Sequence, residues 1–320
     1  MLEFFKGSIV LNMEPYQRVL LSIGGAFSAL VMILAVLQWF HIWTYVSEEK
    51  RQNKLYFLIS LFPVSTVCCL IGMCVPRTSL VLSSAGLLYF LTCMFVLISL
   101  LRNLFGSRES LSNSLKFDRK QINFQSPPFC CFCFCLPKIS SNTRNLRRIE
   151  WLILQAPIVR ALIVLFNLIA VAEFREESLK YVHWAEMIGV GSLLMAIFGT
   201  HTLARLTSGK LSHYGFMTIF RLIDVALLFY TAQQPMIFEN ILVRFGVVQC
   251  GPALSAQDNA RFICNFVIIT EMLLLSLCAS ILLAPSRSAL FDRYPHGCGS
   301  PISTSFTDES MLTHNELSED

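Results

Sequence analysis

The sequence predicts an all-α polytopic membrane protein with seven transmembrane helices, its N-terminus outside and its C-terminus in the cytosol. Three observations carry this. Long apolar runs recur along most of the 320 residues. Hydrophobic residues make up 54% of the chain and charged residues only 14%, about half the charged share of a soluble domain. Lys and Arg gather in alternate loops. A hydrocarbon core of about 30 Å needs about 20 apolar residues of helix. In lipid every backbone N–H and C=O must be paired internally, and these runs are too long and too continuously apolar for barrel strands.

The charge-poor windows place the spans in order. The first, Val19–Val46, belongs to an apolar run too long for a signal-peptide core and reads as its own insertion signal. The second is Leu55–Val75, between Lys54 and Arg77, and the third is Thr78–Leu101. The fourth, Trp151–Ala172, is interrupted by Arg160, and the fifth is Trp184–Leu206. The sixth, Tyr214–Phe238, carries Arg221 and Asp224, and the seventh, Phe262–Ala284, carries Glu271. Pro63 and Pro157 sit inside the second and fourth spans, where each frees a backbone carbonyl and permits a kink.

Orientation follows from the basic residues. The loops at 47–54, 102–150 and 205–213 and the C-terminal tail carry 16 Lys and Arg; the N-terminus and the other three loops carry 7. The richer side is cytosolic. The chain thus divides into a short extracellular N-terminus (1–18), a transmembrane domain (19–285) with a cytosolic Cys-rich loop (102–150), and a tail (286–320). The tail is rich in Ser, Thr, Gly and acidic residues, a composition that predicts disorder. There is no basic stripe or zinc-finger spacing, which argues against nucleic-acid binding. No Gly-rich phosphate loop, Gly-x-Ser-x-Gly elbow or His-x-x-x-His pair is present, so the chain reads as a non-enzyme needing no cofactor or metal.

Two constellations could carry chemistry. Cys130, Cys131, Cys133 and Cys135 alternate with Phe132 and Phe134 between Pro128 and Pro137. Zinc sites space paired thiols differently, and a reduced cytosolic loop disfavours disulfides. Juxtamembrane cytosolic cysteines are the usual S-acylation sites, and each buried CH₂ of an acyl chain contributes about 0.8 kcal/mol to membrane anchoring. A plain interfacial apolar patch is the alternative. The second constellation is Arg160, Arg221, Asp224 and Glu271, all expected near mid-membrane. Arg221 and Asp224, three apart, share a helix face. Buried charge of this kind lines a solute path or fixes helix packing. Glu186, at the outer end of the fifth span, reads as solvated, and His201 reads as a polar packing residue. Any two of Cys74, Cys250 and Cys264 at the outer side are disulfide candidates, and there is no Asn-x-Ser/Thr sequon.

The chain resembles the organic solute transporter alpha subunit family over residues 20–285. The residues that carry this are the cysteine run after the third span, Gln234-Pro235-Met236-Ile237-Phe238 at the end of the sixth, Cys250-Gly251-Pro252 after it, and Cys264-Asn265 with Glu271 in the last span. Gln155 and Arg160 resemble a Gln–basic pair of the wider superfamily. The cysteine run is sparser than the family's, and residues after Arg287 match none of its motifs. The resemblance implies facilitated, bidirectional transport of bile acids, steroid conjugates and similar amphipathic organic anions or sterol conjugates, with a single-pass beta subunit, in the cell membrane or in endoplasmic reticulum or vesicle membranes. The alternative is a non-transporting seven-helix protein, either a receptor or a membrane-trafficking factor that acts on membrane lipids. The receptor reading lacks an Asp-Arg-Tyr-like triplet after the third span, where Leu101-Arg102-Asn103 stands.

Overall fold

The computed structural model describes residues 14–117, 121–122, 139–174, 178–211, 214–248 and 254–294. Its helices are α1 (Pro15–Tyr45), α2 (Glu49–Ile59), α3 (Leu61–Cys74), α4 (Ser79–Leu104), α5 (Arg108–Phe117), α6 (Thr143–Phe174), α7 (Ser178–Thr207), α8 (Phe216–Ala232) and α9 (Ala256–Leu282). A two-residue antiparallel ribbon, β1 (Gln121–Ile122) and β2 (Ile139–Ser140), lies between α5 and α6.

The ends are set by local chemistry. Pro15 opens α1 in the first turn, where a backbone N–H has no intrahelical partner, and the Gln17 side-chain carbonyl accepts from the Glu14 backbone N–H at 3.1 Å. The Ser255 hydroxyl caps α9 by accepting from Asp258 N at 3.2 Å. Gly215 enters α8 at φ +64°, a conformation that favours glycine.

Among the described residues, six segments are long and apolar enough to cross a membrane: α1, α2 with α3, α4, α6 with its end at Ala170, α7 from Tyr181, and α9. The expected second span is one path but two helices. Pro63 cannot donate to the carbonyl four residues back, and the chain breaks at Ser60. By contrast α6 runs through Pro157 as one assigned helix and begins at Thr143 rather than Trp151. Its added turns place Glu150 against Arg102 (3.4 Å) and Arg108, tying the ends of α4 and α5 to α6. The expected sixth span is the 17-residue α8, which continues into a π-helical segment, Gln233–Leu242.

The surface is inverted relative to that of a soluble protein. Trp43, Ile33, Leu162, Trp184 and Leu228 are large, apolar and exposed. Such a continuous apolar exterior is satisfied by lipid. Inside, buried hydroxyls return to their own helix: Ser28 donates to Gly24 O (2.8 Å), Ser65 to Leu61 O (2.7 Å) and Thr200 to Ala196 O (3.0 Å).

The packing has two parts. Helices α1, α3, α4, α8 and α9 surround a core that includes Met73, Phe90, Phe216, Phe262 and Ile269. Helices α6 and α7 pair along their length as a hairpin, which docks on this core mainly through α6 against α4. A small apolar cluster of Leu91, Ala156 and Ala196 marks that seam.

The sequence predicts a disordered tail from residue 286, yet residues 285–294 lie folded across the end of the bundle that carries the ribbon. Leu290 and Phe291 are buried there. The Ser288 hydroxyl donates to Tyr214 O at 2.7 Å, and Arg293 N donates to Tyr45 O at 3.1 Å.

Candidate functional site

The intramembrane charges do not form one set. They lie in three separate clusters, each bridging different helices.

The first cluster joins the hairpin to the core. Arg160 on α6, only 9% exposed in its side chain, donates through Nη1 to Glu186 on α7 at 2.6 Å and through Nη2 to Ser84 on α4 at 2.9 Å. Asn167, two turns along α6, donates to the other Glu186 oxygen at 2.9 Å. Gly189 lets α7 come this close, since a β-carbon there would lie 3.1 Å from Ile163 and 3.6 Å from Arg160 Nη1. The network is incomplete: Arg160 Nε and Asn167 Oδ1 are buried with no hydrogen-bond partner among the described residues. An unsatisfied buried polar group needs an explanation, and a polar ligand or water is one.

Glu186 was read from the sequence as solvated. It is 40% exposed, but its carboxylate is the counter-ion of Arg160. A signal for this was available. Residues on consecutive, closely connected helices are usually neighbours in space, and Glu186 is the acidic residue of the apolar part of the next span.

The second cluster lies nearer the ribbon end. Arg221 and Asp224 do not pair as the three-residue spacing suggests. Asp224 contacts His201 on α7 at 3.2 Å, and the imidazole stands edge-on to Phe220 at 5.1 Å. Arg221 is exposed. It is five residues into α8, about 8 Å from its start, within reach of a snorkelling arginine.

The third cluster is mid-bundle. Gln233, the first residue of the π segment, donates its amide to Glu271 on α9. The other Glu271 oxygen and the Gln233 carbonyl are buried without partners among the described residues.

These clusters sit at different depths, contrary to the shared depth read from the sequence. Glu186 and His201 are both on α7, fifteen residues apart. At 1.5 Å per residue that separates the first and second clusters by about 22 Å, on sides of α7 that differ by about 60°. One helix thus carries a polar partner at each of two levels, over most of the thickness of a hydrocarbon core.

Cys130, Cys131, Cys133, Cys135 and Cys250 fall outside the described residues. Cys264 is buried on α9, in the core, and Cys74 is exposed. Among the described residues no cluster of three or more His, Cys, Asp or Glu side chains is arranged to hold a metal.

The comparisons with known proteins agree with this architecture. The family model described as organic solute transporter Ostalpha matches residues 20–287. Organic solute transporter alpha-like protein 3 of Caenorhabditis elegans is 54% identical over 88% of this chain and 81% of its own length. Alpha-like protein 1 of the same organism is 34% identical over 89% of this chain and 73% of its own. Organic solute transporter subunit alpha of Danio rerio is 20% identical over 85% and 83%. No solved structure matches. With the family model spanning all six apolar crossings and the charged clusters between them, the chain belongs to the organic solute transporter alpha family and is a multi-pass membrane protein of solute transport.

Proposed function

We propose that the chain is a facilitative transporter of amphipathic organic solutes, of the bile acid or steroid-conjugate type, working with a single-pass beta subunit in the cell membrane. The observation that carries this reading is the pair of polar levels on α7, about 22 Å apart in otherwise apolar helices. Charge placed among apolar helices is costly without a partner or water. Here the first level holds an arginine whose Nε is spare, suited to an anionic head, while the exposed apolar faces of α6 and α8 suit an apolar body. Glu186 keeps Arg160 neutralised when no solute is bound.

In this reading α8 and its π continuation form the sixth of seven spans, with the N-terminus outside and the ribbon end in the cytosol. Uptake of labelled steroid sulfate into cells, with and without a co-expressed single-pass partner, tests the function. Partner-dependent uptake is expected; none under either condition at normal surface level would overturn it.

The cysteine run is proposed to be S-acylated at Cys130, Cys131, Cys133 and Cys135. Acyl-exchange labelling should give hydroxylamine-sensitive mass on the loop. Substituting the four cysteines by serine should remove that mass. A loop that carries no such mass in membranes from expressing cells would refute the modification.

A further inference from the structure

Between α1, α2, α8 and α9, near the ribbon end, lies an apolar cavity of about 130 Å³. Leu34, Leu58, Ile223 and Ala279 contribute helical walls, and another wall is the folded tail, through Leu290 and Phe291. One polar side chain on the lining is unusual. Gln38, 8% exposed, donates its amide nitrogen to Ser280 Oγ at 2.7 Å and to Ser276 O at 3.3 Å. Its carbonyl oxygen is buried and has no hydrogen-bond partner among the described residues. Ser280 already gives its proton to Ser276 O at 2.9 Å, so it cannot serve that oxygen. A mostly apolar cavity that carries the unused Gln38 oxygen, with the His41 ring also on its lining, is complementary to an apolar ring with one hydroxyl. The volume agrees, because an apolar cavity of about 150 Å³ holds one benzene.

The tail wall packs through Leu290 and Phe291, and polar contacts fasten its outer part. Asp292 accepts from Ser47 N at 3.0 Å and from the Ser47 hydroxyl, and faces Arg51 at 3.7 Å. Tyr294 stands edge-on to Tyr45 at 5.1 Å. Burial pushes the Asp292 carboxyl up, but the Ser47 hydrogen bonds and the Arg51 charge outweigh it and hold the group below the usual carboxylate range. The folded value is depressed, so this fastening is fully present at neutral pH and is lost only as pH falls through that depressed value. Exposed polar contacts of this kind open more readily than packed helices.

We propose that this cavity binds a single hydroxylated ring of phenol type, its hydroxyl donating to Gln38 Oε1, and that residues 288–294 are a strap through which the ring enters and leaves. The site shares no residue with the clusters around Arg160, Asp224 and Glu271, so it stands or falls separately from the transport reading.

The full-length chain in lipid nanodiscs tests this with 4-fluorophenol and 4-fluorotoluene, followed by fluorine NMR against empty nanodiscs. Saturable binding of the phenol at least fivefold tighter than the toluene is expected in the unaltered protein. Equal affinity, or no saturable binding of either, would overturn the site with no variant needed. Gln38→Leu should erase the preference while retaining the toluene. A preference that persists in Gln38→Leu would remove the assigned acceptor. Asp292→Asn should speed ligand exchange severalfold at pH 7 with little change in the phenol-to-toluene ratio. Unchanged exchange would show that the strap is not the gate.

Discussion

Gly86→Ala should leave little folded protein at the cell surface. Gly86 lies on α4, where Tyr230 of α8 crosses it. A β-carbon at 86 would lie 2.0 Å from the Tyr230 hydroxyl oxygen and 2.6 Å from the ring carbon that bears it. The tyrosine cannot easily withdraw. It is buried, its hydroxyl donates to Ser83 O at 3.3 Å, and its ring packs on Phe90 at 4.9 Å. Overpacking a close-packed core costs about 1–3 kcal/mol, and losing the Ser83 hydrogen bond adds about 1 kcal/mol. Together these come to about 2–4 kcal/mol, a large fraction of a stability margin of about 5–15 kcal/mol. Melting in detergent should fall sharply, and Tyr230→Leu in the same chain should recover part of the loss. A wild-type melting temperature for Gly86→Ala would sink the argument.

The second large effect is expected from reversing the pair that joins the hairpin to the core. Arg160→Glu places two carboxylates together beside Ser84 and should abolish transport. Breaking a fully buried ion pair costs about 3–5 kcal/mol. Because Glu186 is 40% exposed, solvent screening brings the expected cost of Arg160→Ala to about 2 kcal/mol. The informative chain is the double variant, Arg160→Glu with Glu186→Arg. If the pair serves packing, surface level and uptake return together. If Arg160 holds the solute head, surface level returns but uptake does not, because the guanidinium has moved to another helix. The second outcome is expected, and full recovery of uptake would assign the pair to packing.

The spans were legible in the sequence because the bilayer imposes a length and a composition that few other environments demand. What could not be read was which side each polar residue takes. Arg221 and Asp224 share a rough face, but three residues on a helix still differ by about 60°. That is enough to leave Arg221 exposed and to turn Asp224 toward His201. Depth is hidden in the sequence for a related reason. Distance from a span's edge in sequence says nothing about which edge of the bundle a helix starts from, until neighbours on one helix, Glu186 and His201, provide a ruler. The kink that Pro63 permits in the second span falls three residues earlier, at Ser60, because the missing donor bond is to the preceding turn. The strap was hidden by averaging, since Leu290 and Phe291 are two apolar residues in a polar tail.

The π segment after α8 has a mechanical consequence. Each hydrogen bond there closes over one more residue than in an α-helix, so Gln233–Leu242 holds surplus chain within a helical path. Reeling that surplus in as α geometry would turn everything beyond it by about 100° per residue and advance it by about 1.5 Å. Gln233 stands at the start of this coil with its amide on Glu271. The hydrogen bond to α9 thus fixes the point from which any such turn would be counted.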